Sequence, residues 1–435
     1  MKRKILNKKM NYKYKLFLLL KSMSSKHQQQ FNQLSRDLTK CLSKKDKKDN
    51  GIYFTPYDII DLMFANLDVY KENIKTILEP SAGSYEIIDY IDKKFTNISI
   101  TGIELNKVIY ENIKKISSSS SENNIKLLNL DYLEYLTDEK FDLIIGNPPY
   151  VVLKKVKIDK KFSKLYDGRP NLFILFIIHS LQKLNENGIL AFILPSNFMN
   201  CLYYSKLREM IIMNYKIINI IDCSSNNSYL ETQQDTIIFI IQKSNEIDTN
   251  KFFYLKKNSH IIFNTPENII KIKDLYENSK TLDEMNFEVK VGNITWNEHK
   301  DILTDDNKKT RLIYSSDIKD NKLIIVNYKN DDKKNFIDKK GNNDLLLVVN
   351  RGYGKGKYKF NYCLIDIDDN YLIENHLIYI KYKFDISRQE LKKLYNKIIK
   401  SFMNKKTNDF IMIYFGNNAI NTTELQYILP IYEQD

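Results

Sequence analysis

Asn147, Pro148, Pro149 and Tyr150 are adjacent, and they directly follow the apolar run Phe141-Asp142-Leu143-Ile144-Ile145-Gly146. Such a run predicts a short buried strand, and two prolines end it because neither can donate to a sheet ladder. An amide side chain, a rigid turn and an aromatic ring therefore meet at a strand's carboxyl end, the edge where ligands bind in an open α/β sheet. The Asn147 side-chain oxygen and the Pro148 carbonyl can each accept a hydrogen bond from a planar amine, while Tyr150 stacks on its ring. A Pro-Pro turn also occurs after strands that do no chemistry. Tyr is common here, with 30 copies, so the segments upstream must decide between the two readings.

Those segments supply the elements that would position a cofactor beside Asn147. Thr76-Ile77-Leu78-Glu79 predicts a strand that runs into the small-residue loop Pro80-Ser81-Ala82-Gly83-Ser84, and Tyr85 to Asp92 carries apolar residues at helical spacing. Small residues let the backbone approach a ligand closely, as in the first unit of a nucleotide-type site. A second strand, Ile98 to Ile103, ends in Glu104. An acidic residue about 20 positions past such a loop commonly binds ribose hydroxyls, and Glu104 falls close to that interval. A third strand, Ile125 to Leu128, leads to Asp131, placed to meet the amine of an adenine ring. Either carboxylate alone would pass for a solvated strand end. Their order before Asn147 points to a site.

With these residues the chain resembles the S-adenosylmethionine-dependent DNA adenine N6-methyltransferases of the gamma-type motif order, whose cofactor motifs precede the Asn-Pro-Pro-Tyr motif. The resemblance runs from about residue 50 to 245. Gly51-Ile52-Tyr53-Phe54-Thr55-Pro56 is similar to the family's N-terminal motif, which implies that Tyr53, Thr55 and Pro56 contact the methionine part of the cofactor. Glu79, Pro80, Ser81, Ala82 and Gly83 resemble the cofactor loop, Glu104 the ribose position and Asp131 the cofactor-adenine position. Asn147 through Tyr150 resembles the catalytic motif. Gly188 to Pro195 and Asp235 to Lys243 resemble later strands of the catalytic sheet. One departure stands out: the family usually has glycine where this chain has Tyr85, and a bulky ring there can weaken cofactor affinity.

The resemblance implies a site-specific, adenine-specific DNA methyltransferase. The target amine is a poor nucleophile hidden in the duplex, so the base must be flipped into the pocket. Asn147 and the Pro148 carbonyl would accept the two amine hydrogens, Tyr150 would stack on one face of the base, and Tyr229 is the candidate for the other. Orientation and electrostatic placement would carry the catalysis, with no strong general base. A protein glutamine N5-methyltransferase using the same tetrapeptide is the main alternative. The Glu-Pro-Ser-Ala-Gly loop and the large C-terminal region argue against it. An RNA N-methyltransferase and a non-catalytic DNA-binding relic are further alternatives.

The chain has 435 residues, enough for two or three domains, and a formal net charge of +13. That charge suits a polyanionic partner, here duplex DNA, although abundant Lys, Asn, Ile and Tyr also reflect an A+T-rich coding sequence. Such coding fits a large DNA virus, a parasite or an A+T-rich bacterium. The 4 Cys and 5 His are scattered, with no Cys-x-x-Cys pair and no metal-spaced histidines, so no metal site is expected and an intracellular, cytoplasmic setting fits. His179 reads as a core or helix-edge residue. Leu16 to Leu20 is too short an apolar run for a membrane span. A monomer is expected, with a separate cognate restriction endonuclease as a further partner.

In outline, the expected fold is α/β: a Rossmann-like methyltransferase sheet with a C-terminal mixed α+β target-recognition domain. Residues 1–25 read as a basic flexible arm, 26–48 as an N-terminal helix carrying Phe31, Leu34, Leu38 and Leu42, and Lys44 to Asn50 as its charged exit. The catalytic domain is expected over 49–245 and the recognition domain over 250–435. Ser117 to Ser121 and residues 151–170 read as loops. Short strands are expected at Phe287 to Trp296, Leu312 to Tyr314, Leu323 to Asn327 and Leu345 to Asn350. Arg351, Lys355 and Lys357, in a Gly-Lys loop, are the candidate DNA contacts, since Arg suits guanine edges and Lys suits phosphates. Trp296, the only tryptophan, reads as a core anchor.

Overall fold

The computed structural model describes residues 31–117, 121–153, 163–168, 170–223, 235–328, 333–351, 360–415 and 420–432. The chain divides into two compact units, Met1–Phe253 and Tyr254–Asp435. The arm at 1–25, Tyr229, Lys355 and Lys357 lie outside the described residues.

In the first unit seven strands form one sheet. They are β1 (Thr76–Glu79), β2 (Ser99–Ile103), β3 (Asn124–Leu128), β4 (Phe141–Gly146), β5 (Leu184–Pro195), β6 (Lys216–Asp222) and β7 (Thr236–Gln242), in the order β3-β2-β1-β4-β5-β7-β6. The pairings from β3 through β5 are parallel, and β7 runs antiparallel to both of its neighbours. Among the described residues, seven helices accompany the sheet: α1 (Gln33–Cys41), α2 (Lys44–Asn50), α3 (Tyr57–Ala65), α4 (Glu86–Lys94), α5 (Lys107–Ile116), α6 (Leu172–Leu181) and α7 (Ser205–Asn214). Together they form a Rossmann-like α/β sheet, as the strand-loop-helix pattern predicts.

The apolar runs explain the layering. Leu143, Ile144 and Ile145 of β4 and Ile237 to Ile241 of β7 are fully buried, as a sheet covered on both faces requires. Each such side chain contributes roughly 1.5–3 kcal/mol by leaving water. Asp142 staples the sheet's centre: its carboxylate accepts from Lys75 N, Thr76 N and Thr76 Oγ1 of the β1 side and from Asn185 Nδ2 of β5. From β1 the chain winds outward to β3, then returns to lay β4 on the other side of β1. The reversal opens a crevice where β1 and β4 end, so the loop after β1 and Asn147 leave the sheet side by side.

Two expectations at the N-terminal end need correction. Residues 33–50 form two helices, and Lys44–Asn50 is itself helical. Leu42 is extended at ψ 134°, and the Ser43 hydroxyl accepts from Asp46 N, capping a new helix. A side-chain cap at Ser43 outweighs the apolar period that carries through Leu42.

The second unit is mixed α+β. Strands Phe287–Val291, Leu377–Tyr382, Leu346–Asn350 and Tyr362–Ile365 form an antiparallel sheet in that order, packed with helices Pro266–Tyr276, Arg388–Phe402 and Lys405–Tyr414 in one apolar core. Thr310–Ile313 instead pairs in parallel with Tyr371–Ile373 in a second sheet. The strand expected to reach Trp296 stops at Val291, and the one expected over Leu323 to Asn327 is only Lys322–Leu323, in a tight hairpin with Ile318–Lys319. Trp296 is half-buried rather than central. It packs on the small cluster of Ile294, Leu312, Tyr314 and Ile337, with the Lys300 and Lys333 ammonium groups over its ring.

Candidate active site

Asn147 leaves the end of β4 with its side chain fixed at both ends. Nδ2 donates to Tyr53 O at 3.3 Å and to Thr55 Oγ1 at 3.2 Å, which turns Oδ1 the other way, where it accepts from the Tyr150 hydroxyl at 2.8 Å. A carbonyl oxygen has two lone pairs, so Oδ1 keeps capacity for a second donor. The Tyr150 hydroxyl also lies 2.9 Å from Ile193 O of β5, and its ring meets Phe173 of α6 edge-on at 6.0 Å. The tetrapeptide is thus tied to three elements before any substrate arrives.

The segment Gly51 to Thr55 therefore supports the turn after β4, a role its sequence does not advertise. Gly51 takes a left-handed backbone at φ +65°, and a Cβ there would lie 2.9 Å from Tyr150 N and from Val151 Cγ2. Gly51→Ala is accordingly expected to push the Pro149–Val151 backbone by a few tenths of an ångström. The expected cost is about tenfold in turnover, from misplacement of the reacting groups, with cofactor affinity little changed. Steady-state kinetics beside cofactor titration would check this; unchanged turnover would show that the turn absorbs the methyl.

Across the crevice, the loop after β1 is linked to the same turn. Ser81 Oγ donates to Asn147 O at 3.1 Å. Ala82 N donates to Ile103 O of β2 and Gly83 N to the Glu104 carboxylate at 2.9 Å, while Asn106 N donates to the other Glu104 oxygen at 2.7 Å. Asp131 caps the turn Tyr132–Glu134 through Leu133 N. His179 is buried, with Nε2 3.3 Å from Tyr135 O. Tyr85 occupies a left-handed position at φ 77°, a conformation that glycine adopts without steric cost. Its ring is buried in the core.

The loop is acidic and buried. Burial pushes the Glu104 carboxyl up to about 7, against the lowering effect of the backbone N–H groups of Asn106, Gly83 and Leu105. Burial likewise raises Glu86 to about 7, opposed by its hydrogen bond from Ser84. Glu79 is pushed well above the ordinary carboxylate range by burial and then by the charges of Glu86 and Glu104. Glu79 Oε2 and Glu86 Oε1 have no hydrogen-bond partner among the described residues. Orphaned buried carboxylate oxygens beside a small-residue loop fit a cofactor carrying positive charge and hydroxyl donors, as S-adenosylmethionine does. Among the described residues no cluster of His, Cys, Asp and Glu is arranged to hold a metal ion. No helix among them is long and apolar enough to cross a membrane.

The site brings together Tyr53, Thr55, Ser81, Gly83, Glu104, Asn147 and Tyr150. Arg351 is in the second unit, with its backbone N donating to His376 O and Nη1 to Asn375 O at 3.4 Å.

Comparison with known proteins agrees with this architecture. The chain is 28% identical over 411 residues to the type II methyltransferase M.CvrRI of Paramecium bursaria Chlorella virus XZ-6E, covering 92% of this chain and 99% of that protein. It is 28% identical over 415 residues to the modification methylase CviBIII of Paramecium bursaria Chlorella virus NC1A, covering 93% and 99%. It is 27% identical over 270 residues to the type II methyltransferase M.AccI of Acinetobacter calcoaceticus, covering 60% and 49%. Residues 12–229, half of the chain, match the family described as Eco57I restriction-modification methylase. The methyl donor of such a site is S-adenosylmethionine, whose chemistry the buried acidic loop fits. By the span of that match, the chain belongs to the Eco57I restriction-modification methylase family.

Proposed function

We propose that this protein methylates the N6 amine of an adenine flipped out of duplex DNA. The observation that carries the proposal is the fixed Asn147 amide. Its nitrogen is held by Tyr53 O and Thr55 Oγ1, so its oxygen is the atom offered to an incoming donor. An aromatic amine has a lone pair delocalised into its ring. Accepting both amine hydrogens, at Asn147 Oδ1 and the Pro148 carbonyl, favours a geometry that frees the lone pair for attack. When bound, S-adenosylmethionine supplies an electrophilic methyl group on a sulfonium. Glu79, Pro80, Ser81, Ala82 and Gly83, with Tyr53, Thr55 and Pro56, would hold its methionine part, Glu104 its ribose hydroxyls and Asp131 its adenine.

Tyr150 would stack on the target base, with Tyr229 the candidate for the opposite face. The Tyr150 hydroxyl proton, shared between Asn147 Oδ1 and Ile193 O, holds the ring in place, which reduces the ordering left for substrate binding. Tyr150→Phe keeps the ring but loses both ties, and turnover is expected to fall about fivefold. Tyr150→Ala is expected to cost about a hundredfold, since base–aromatic stacking is worth about 1–3 kcal/mol. Equal losses in the two variants, read by methyl transfer to DNA, would place the function in the hydroxyl rather than the ring.

The second unit, by this reading, recognises the target sequence, with Arg351, Lys355 and Lys357 as contacts. The net charge of +13 supports a polyanionic partner. A separate endonuclease cutting the same sequence is the expected companion. The direct test is incubation with S-adenosylmethionine and unmethylated genomic DNA, then single-molecule sequencing for N6-methyladenine. Modification at one short motif is expected. Cofactor binding without DNA methylation would transfer the proposal to a protein or RNA amide or amine.

A further inference from the structure

The cofactor loop is held from outside by helix α1. Ser84, in that loop, is 1% exposed, and both its backbone and its side chain are engaged by the start of α1. Asn32 Nδ2 donates to Ser84 O at 2.9 Å, and the Ser35 hydroxyl donates to Ser84 Oγ at 2.7 Å. Ser84 Oγ in turn donates to Glu86 Oε2 in a very short contact. Ser35 is fully buried and Glu86 is 3% exposed, so the chain of hydroxyls runs through the interior, where one hydrogen bond polarises the next.

The loop needs such a hold. Tyr85, the next residue, sits in the left-handed region at φ 77°, where a side chain costs roughly 1–2 kcal/mol. Backbone in that state persists only when its surroundings over-determine it. Tyr85 N donates to Ala82 O, which closes the turn locally, while Ser84 fixes its outer side to α1. The same turn carries Gly83, whose N–H donates to Glu104, so freeing Ser84 loosens the geometry between Gly83 and Glu104.

We infer that Ser35 is a positioning residue for cofactor binding: through Ser84 it holds the loop Glu79–Tyr85 in its receptive form, making α1 part of the cofactor site. This rests on the S-adenosylmethionine reading of the loop. Ser35 lies 49 positions from Ser84, in a helix with no motif, so spacing gives no hint of it.

A double-mutant cycle tests it on the full chain, using Ser35→Ala, Ser84→Ala and the pair. The readouts are the S-adenosylmethionine Kd by calorimetry, KM and kcat for methyl transfer, and melting temperature. Each single variant is expected to raise Kd and the cofactor KM about tenfold with kcat within about twofold, and the pair no further, because both break one chain. A purely structural serine would lower melting temperature and leave Kd unchanged below it, which overturns the inference. Additive effects on Kd would overturn the relay. If one variant fails to fold, the other's Kd decides alone. Wild-type protein that does not bind S-adenosylmethionine would instead refute the underlying cofactor assignment, and is distinguished by needing no variant.

Discussion

Asn147→Ala is expected to lower methyl transfer to DNA by at least about a thousandfold while leaving the S-adenosylmethionine Kd within about threefold, since removing one preorganised partner of a transition state costs about 10²–10³ and the orienting effect is lost with it. The separation follows from which atoms of Asn147 touch what. The loop after β1, the proposed cofactor loop, reaches this residue through Ser81 Oγ and the Asn147 backbone carbonyl, which alanine retains. The amide, which alanine lacks, faces Tyr53 O, Thr55 Oγ1 and Tyr150. The Tyr150 hydroxyl keeps Ile193 O as an acceptor, so the ring is not released. Single-turnover transfer of a labelled methyl group and calorimetric cofactor binding read the two effects separately. A parallel loss of both would mean that Asn147 holds the cofactor rather than the amine.

Which parts of this site were legible in the sequence depends on whether local pattern or distant contact fixed them. Thr76 to Glu79 and Phe141 to Gly146 announce buried parallel strands because each is apolar on both faces, and the residues after them then fall at the sheet's edge. Gly51 was visible as part of a motif, but not as the residue whose missing Cβ lets the Tyr150 backbone come close. The partner of Asn147 Nδ2 is a backbone carbonyl, Tyr53 O, which no residue type encodes. Around Leu42, helical spacing continued through a break that Ser43 imposes by capping. In the second unit, Thr310–Ile313 pairs with a strand about 60 residues away, and non-local pairing leaves little trace in local alternation. Ser35 is the extreme case: its contribution exists only once α1 has docked on the loop.

Affinity for S-adenosylmethionine is expected to rise with pH through about 7, in opposition to the stability of the free protein. On the proposed assignment of Glu104 to the ribose hydroxyls, its carboxylate must be ionised to accept both, and burial lifts its carboxyl to about 7. Below that pH the competent fraction shrinks, so Kd at pH 6 is expected to be about tenfold weaker than at pH 8. Free-protein stability has the opposite sign. A carboxyl raised from 4.5 to about 7 in the folded state contributes stability that is fully present below 4.5 and is lost as pH rises through about 7. For a group buried this deeply the swing is about 3 kcal/mol. Glu86, also raised to about 7, adds a second contribution of the same sign. Melting of the free protein should therefore fall from pH 5 to pH 8 while the increment added by cofactor grows. Glu104→Gln separates the two carboxylates. It removes the charge-assisted acceptor, weakening binding by about 30-fold at pH 8, and it should flatten the pH dependence of Kd. If the slope survives in Glu104→Gln but vanishes in Glu86→Gln, the titrating group belongs to the α1 side of the loop, and Glu104 acts only as the brace on Gly83 N.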